Sequence, residues 1–182
     1  LLWSATAGSA TIINGINRAY GFTANKNYFF MRIEGIAFTL GIMLGMYLIF
    51  ALIVLGRQIV LFLQSIKLLP EVTYVFIHVY RYMLPVLILF LLFSAAYKFM
   101  TYEKVNFSFV FPGAVVSTLG FIIGSVIYSS YISTKIKYYN SIYGNLSGLI
   151  VFLIWIYMLS FIFLAGAEVN YFTGSKNKKT ED

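Results

Sequence analysis

The chain has 182 residues, of which 60% are hydrophobic and only 10% charged, with 13 Lys and Arg against 6 Asp and Glu. Soluble domains carry about a quarter of their residues as charges, so a water-soluble fold is excluded. The net charge of +7 is spread one or two residues per loop, not gathered into a nucleic-acid-binding face. The absence of cysteine excludes disulfides, thiolate metal sites and a catalytic thiol.

The chain opens on Leu1-Leu2-Trp3, which reads as the tail of an apolar segment, so earlier spans are expected to precede it. Residues 9–23 then place Ile12, Ile13, Ile16 and Tyr20 on one helical face, with Asn14, Asn17 and Arg18 off it. Such a helix either lies in the membrane interface or packs on the bundle as a short connector.

Four apolar stretches follow, 35–56, 72–97, 105–134 and 138–167, holding one Arg, one His and no acid between them. A bilayer core about 30 Å thick takes roughly 20 residues of apolar helix. The predicted fold is an all-α transmembrane bundle, a single membrane domain over 1–182. Its spans lie at about 35–57, 74–97, 112–132 and 146–167, after an N-terminal interfacial helix. Residues 175–182 are expected to be a disordered cytoplasmic tail.

In the first span Gly41 and Gly45 form a small-xxx-small pair that lets backbones approach. Residues 57–70 read as a connecting segment, closed by Pro70. In the second span Tyr74, His78, Arg81 and Pro85 share one helical face. Pro85 has no N–H for the carbonyl of Arg81. A cation, an imidazole and an open carbonyl could hold an anionic headgroup or a proton. The alternative has Arg81 reaching out to headgroups at the outer interface, and the uncharged run 82–97 favours it, being nearly long enough to span alone.

Pro112 is expected in the first turn of the third span. Gly113, Ser117, Gly120 and Gly124 then make a smooth stripe, continued by Tyr128 and Tyr131, where another helix must pack closely. A narrow pathway would need the same wall. Lys135 and Lys137 mark the next loop. Tyr139, Asn140 and Tyr143 precede Gly144 at the outer interface, as anchors or as a gate. Glu168 and Asn170 end the fourth span, where a carboxylate could pair with Arg18 or Arg32 or take part in proton coupling.

With four spans, Arg18, Lys26, Arg32, Lys98, Lys104, Lys176, Lys178 and Lys179 share one side. Arg57, Lys67, Lys135 and Lys137 take the other, with Arg81 unassigned. The positive-inside bias then places both ends of the chain in the cytoplasm.

Six stretches, in order, carry a family resemblance: Trp3-Ser-Ala, Asn17-Arg-Ala-Tyr-Gly21, Pro112-Gly-Ala114, Tyr139-Asn-Ser-Ile-Tyr-Gly144, Leu153-Ile-Trp-Ile-Tyr157 and Leu164-Ala-Gly-Ala-Glu-Val-Asn170. Over essentially its whole length the chain resembles the YihY/BrkB family of bacterial inner-membrane proteins, once grouped under the label ribonuclease BN. The resemblance implies about six spans, of which this chain would hold the C-terminal two thirds. It also implies transport or lipid movement in the cytoplasmic membrane.

The ribonuclease label can be tested on the residues. Metal-dependent phosphodiester cleavage needs clustered carboxylates or histidines, and the chain has one His and six acids, two of them its last residues. No catalytic residue, metal or cofactor is expected. Membrane lipids are the expected partners, nucleic acid is not, and a homo-oligomer is compatible with the pattern. The expected function is transport or translocation of a lipid or other amphiphile. A non-transporting scaffold for envelope integrity is the alternative, and a membrane-bound nuclease ranks third.

Overall fold

The structure, a computed structural model, describes residues 2–22, 28–65 and 71–178. Within them the side chains of 2–7, 28, most of 52–65, 71–81 and 175–178 lie outside the description. The described elements are all helical: α1 (Leu2–Ala19), α2 (Tyr28–Ser65), α3 (Glu71–Phe99), α4 (Phe107–Tyr143) and α5 (Ser147–Lys178), with a 3₁₀ turn (Gly144–Leu146) between the last two. Phe29–Ala51, Tyr82–Phe99 and Phe107–Gly174 are long and apolar enough to cross a membrane. The last of these holds both α4 and α5, folded back on each other. This is an all-α membrane bundle.

The helices are longer than the apolar pattern predicts. Residues 57–65 continue α2 and do not form a connector, while Pro70 lies outside the described residues. The loop expected at Lys135 and Lys137 is helix as well, and α4 runs for 37 residues to Tyr143, about 55 Å. Polar residues end an apolar run but not a helix. The stop comes at Gly144, whose φ of 52° suits glycine and whose N–H bonds the Asn140 carbonyl. The expected tail is helical through Lys178.

Pro112 is likewise not in the first turn. The helix starts at Phe107 after Asn106, so Pro112 is its sixth residue. It therefore leaves the Ser108 carbonyl without its ladder donor.

Consecutive helices run antiparallel. On the α2–α3 pair a Cβ at Gly45 would lie 2.5 Å from Leu92 Cδ1. Between α3 and α4, Tyr97 meets Ser117 and Phe93 meets Phe121. Between α4 and α5, Gly120 faces Ile162 and Gly124 faces Met158. α1 docks alongside the end of α5, with Gly15 against Leu164 and Gly21 against Tyr171. The C-termini of α1, α3 and α5 thus share one end with the N-termini of α2 and α4.

The buried core sits at that end, not at mid-membrane. Ile13, Ile16, Tyr20, Ala96, Tyr97, Met100, Val110, Ala114 and Ala167 form it. Elsewhere large apolar side chains such as Met43, Phe50, Ile127 and Phe152 are exposed. Such faces need no covering in lipid, which is as apolar as they are.

Candidate functional site

The helix ends converge on a junction held by buried amides. Asn17, which the helical pattern puts on the polar side of α1, is 1% exposed. Its Nδ2 donates to the carbonyls of Ile13 at 2.7 Å and Met100 at 2.8 Å, and its Oδ1 accepts from Tyr102 N–H at 2.6 Å. One side chain thus fastens the α3–α4 loop to α1. Just beyond it α1 closes with Gly21 at φ 70°. Phe22 N–H bonds the Asn17 carbonyl and Gly21 N–H the Arg18 carbonyl, the pairing of a Schellman turn.

Asn170, fully buried on α5, makes the second staple. Its Oδ1 accepts Gly113 N–H at 2.6 Å, the amide next to the break at Pro112, and its Nδ2 donates to Tyr20 Oη at 2.9 Å. Burial pushes the Tyr20 phenol above the ordinary tyrosine range, so it stays protonated.

A third knot lies one turn deeper. Tyr97 stacks on Phe163 with ring centroids 4.8 Å apart, donates to the Phe163 carbonyl at 2.5 Å, and meets Ser117 Oγ at 2.6 Å. Gly166 leaves room for this pair. A Cβ there would strike Ser117 Oγ and lie 2.5 Å from Tyr97 Oη.

Two openings flank the junction. A cavity of about 580 Å³ is lined, among the described residues, by Thr11, Asn14, Gly15, Asn17, Arg18, Gly21, Phe22 and Tyr102. A crevice of about 240 Å³ between α2 and α3 is lined by Phe38, Gly41, Ile42, Leu92, Ala95, Phe99 and Met100, with Glu34 the charged residue among the described ones. Met100 lines the crevice and Tyr102, two residues on, the cavity.

The residues singled out in the sequence fall in separate places. Gly113, Ser117, Gly120 and Gly124 all face α5. A Cβ at Gly113 would collide with the Gly166 carbonyl and Asn170. Gly45 abuts Leu92, whereas Gly41 has nothing within 4 Å of its Cβ position. Asn170 is buried at the junction while Glu168, two residues earlier, is exposed. Tyr139, Asn140 and Tyr143 lie at the opposite end. There Tyr139 stacks on Tyr143 and Asn140 Oδ1 accepts from Ser147 Oγ, clasping the turn. The side chains of Tyr74, His78 and Arg81 are outside the described residues.

Sequence reasoning missed the roles of Asn17, Tyr20, Tyr97 and Tyr102. The available signal was angular: at about 100° per residue Asn17 lies only about 40° from Ile13 and about 60° from Tyr20, at the edge of the apolar face. Among the described residues no three His, Cys, Asp or Glu side chains come together as a metal site would require.

The family described as Virulence factor BrkB matches residues 1–182. The ribonuclease-like protein YfkH of Bacillus subtilis is 32% identical over 181 residues, covering 100% of this chain and 65% of that protein. A UPF0761 membrane protein of Mannheimia succiniciproducens, MS0032, is 30% identical over 94% of this chain and 58% of its own length. Another UPF0761 membrane protein, from Prosthecochloris aestuarii, is 35% identical over 92 residues, which are 50% of this chain and 22% of the relative. The chain therefore spans less than two thirds of these relatives. No solved structure matches it.

Proposed function

The chain belongs to the BrkB family of membrane proteins, and from that premise we propose that it moves a lipid or similar amphiphile across the bacterial cytoplasmic membrane. The observation that carries this reading is the pairing of a cavity bearing Asn14 and Arg18 with the apolar crevice at one end of the bundle. An amphiphile needs both: a slot between spans for a chain and a recess with hydrogen-bonding groups for its head. The welded α4–α5 pair offers a fixed wall, and the more lightly joined α2–α3 pair a wall that can shift against it, as alternating access requires. The name of the Bacillus subtilis relative belongs to that protein.

The test is reconstitution into vesicles with head-labelled fluorescent phospholipid in both leaflets and an impermeant quencher outside. Protein-free vesicles lose about half of the signal, because only one leaflet is reached. With the protein, nearly all should be lost. A plateau at the protein-free level would leave the scaffold reading.

In the proposed orientation the junction end is cytoplasmic, following the charge bias of Arg18, Arg32, Lys98 and Lys104. Ser141→Cys should then react with an impermeant thiol reagent in spheroplasts. Lys104→Cys should react only after permeabilisation, and the reverse pattern inverts the topology.

A further inference from the structure

We propose that the cavity beside the last turns of α1 is a phosphate-binding recess anchored by Arg18. Resting on the lipid-moving reading, it would seat the phosphate of a phospholipid headgroup. Its volume of about 580 Å³ is within the usual range for a small-molecule site.

Among the described residues its lining includes one cation, Arg18, and no acid. A guanidinium carries five N–H donors in a fork that matches phosphate oxygens. Asn14 Oδ1 already accepts the Tyr102 hydroxyl at 2.6 Å, so its Nδ2 is the part of that amide left to donate. Arg18 and Asn14 stand four positions apart on α1, one turn and one face.

The acceptors that would repel an anion are already occupied. The Ile13 carbonyl takes Asn17 Nδ2, the Asn17 and Arg18 carbonyls take Phe22 and Gly21 N–H, and Asn17 Oδ1 takes Tyr102 N–H. A helix C-terminus normally presents bare carbonyls and a partial negative charge. Here Tyr20 N–H donates to the Ile16 carbonyl and the Schellman turn covers those of Asn17 and Arg18, so three of the last four are covered. The Arg18 guanidinium and Asn14 Nδ2 are the donors offered to an anion.

Its position fits the ligand. The apolar crevice is lined by Met100, two residues before Tyr102 of the recess, and an acyl chain could lie there while the head occupies the recess. Lys98 and Arg32 belong to the same end of the bundle and would favour an anion there.

The experiment measures retention of fluorescent phosphatidylglycerol by the purified protein in mixed micelles, at increasing salt. Wild type should bind saturably. Arg18→Ala should weaken binding about tenfold, the loss of one charge-assisted anchor. Arg18→Lys should recover part of it, since a point charge lacks the fork. Lys104→Ala, a surface cation outside the recess, should change it little. Arg18 is exposed, so its variants should fold, and an unchanged gel-filtration profile confirms it. Equal binding by wild type and Arg18→Ala, or equal losses in the Arg18 and Lys104 variants, would overturn the recess.

Competition separates the sources. Failure of millimolar inorganic phosphate to displace the lipid supports a headgroup site. Displacement supports the recess but removes the lipid from it. The two readings also fail separately. Arg18-dependent binding without lipid movement keeps the recess and ends the translocation reading. Lipid movement indifferent to Arg18→Ala does the opposite.

Discussion

Two helix pairs in this bundle are joined by small residues, and they are joined differently. Along α4–α5 the stripe Gly113, Ser117, Gly120 and Gly124 lies against the other helix over its whole length, and polar contacts reinforce both ends. Along α2–α3, among the described glycines, Gly45 abuts its neighbour while Gly41, one turn away, opens onto a crevice. In lipid no hydrophobic force drives helices together, so close packing and interhelical hydrogen bonds decide which pairs hold. Among the described residues the first pair has both along its length, whereas the second has one close glycine contact, at Gly45, beside a crevice. A pair fixed by backbone contact is a frame, and a pair with a crevice between its helices leaves room for a guest.

The sharpest way to break this comparison is to add bulk where backbones touch. Gly113→Leu and Gly166→Leu meet a carbonyl and buried hydroxyls that cannot move aside. We expect neither to yield a monodisperse species by fluorescence-detected gel filtration. A normal profile for Gly113→Leu would mean that α4 and α5 are not welded.

The next largest effect comes from the staple. Asn170→Ala strips a partner from the Gly113 amide and from the Tyr20 hydroxyl. It should cost about 2–4 kcal/mol in a reversible unfolding titration, at about 1–3 kcal/mol per buried group left unsatisfied. Tyr20→Phe removes one of the two bonds and should cost about 1 kcal/mol. A double-mutant cycle between them should show coupling, and strict additivity would place the strength of the junction elsewhere.

Smaller effects belong to the looser pair. Gly45→Ala presses on the flexible tip of Leu92 and should cost no more than about 1–2 kcal/mol, with Leu92→Ala restoring part of the loss. Gly41→Ala, with open space at its Cβ, should be silent or stabilise α2 by up to about 1 kcal/mol through helix propensity. A large penalty at Gly41 would close the crevice between α2 and α3 and erase the contrast.

The α4 stripe was legible because intervals of four, three and four can face only one way on a helix. The difference between Gly41 and Gly45 was not, since both satisfy the same spacing and only the crossing of α2 over α3 separates them. Helix ends were misread where polarity stood in for geometry. Lys135 and Lys137 left the apolar pattern without breaking the backbone, and the stop waited for Gly144.

Asn17 was placed on the polar face because an amide next to Arg18 reads as solvated. Its partners at Met100 and Tyr102 are invisible in any local window. Glu168 and Asn170, coupled in the sequence reading, differ by about 200° around the helix, so one is exposed while the other is enclosed. The candidate site was thus legible only in fragments, because its cavity is built from α1 and a loop more than eighty residues away.

That separation has a consequence for how the molecule comes together in time. Asn17 finds Met100 and Tyr102 at distances of 83 and 85 positions along the chain, and Tyr20 waits 150 positions for Asn170. At synthesis rates of about 5–20 residues per second, the first helix exists for roughly 8–30 seconds before the last staple can form. By then Asn17 has already met Met100 and Tyr102, so α1 is fastened in two stages. Asn170, about two turns before the end of α5, supplies the second, and a chain cut short before residue 170 would keep α1 on the α3–α4 loop but leave Tyr20 and the Gly113 amide without their shared partner.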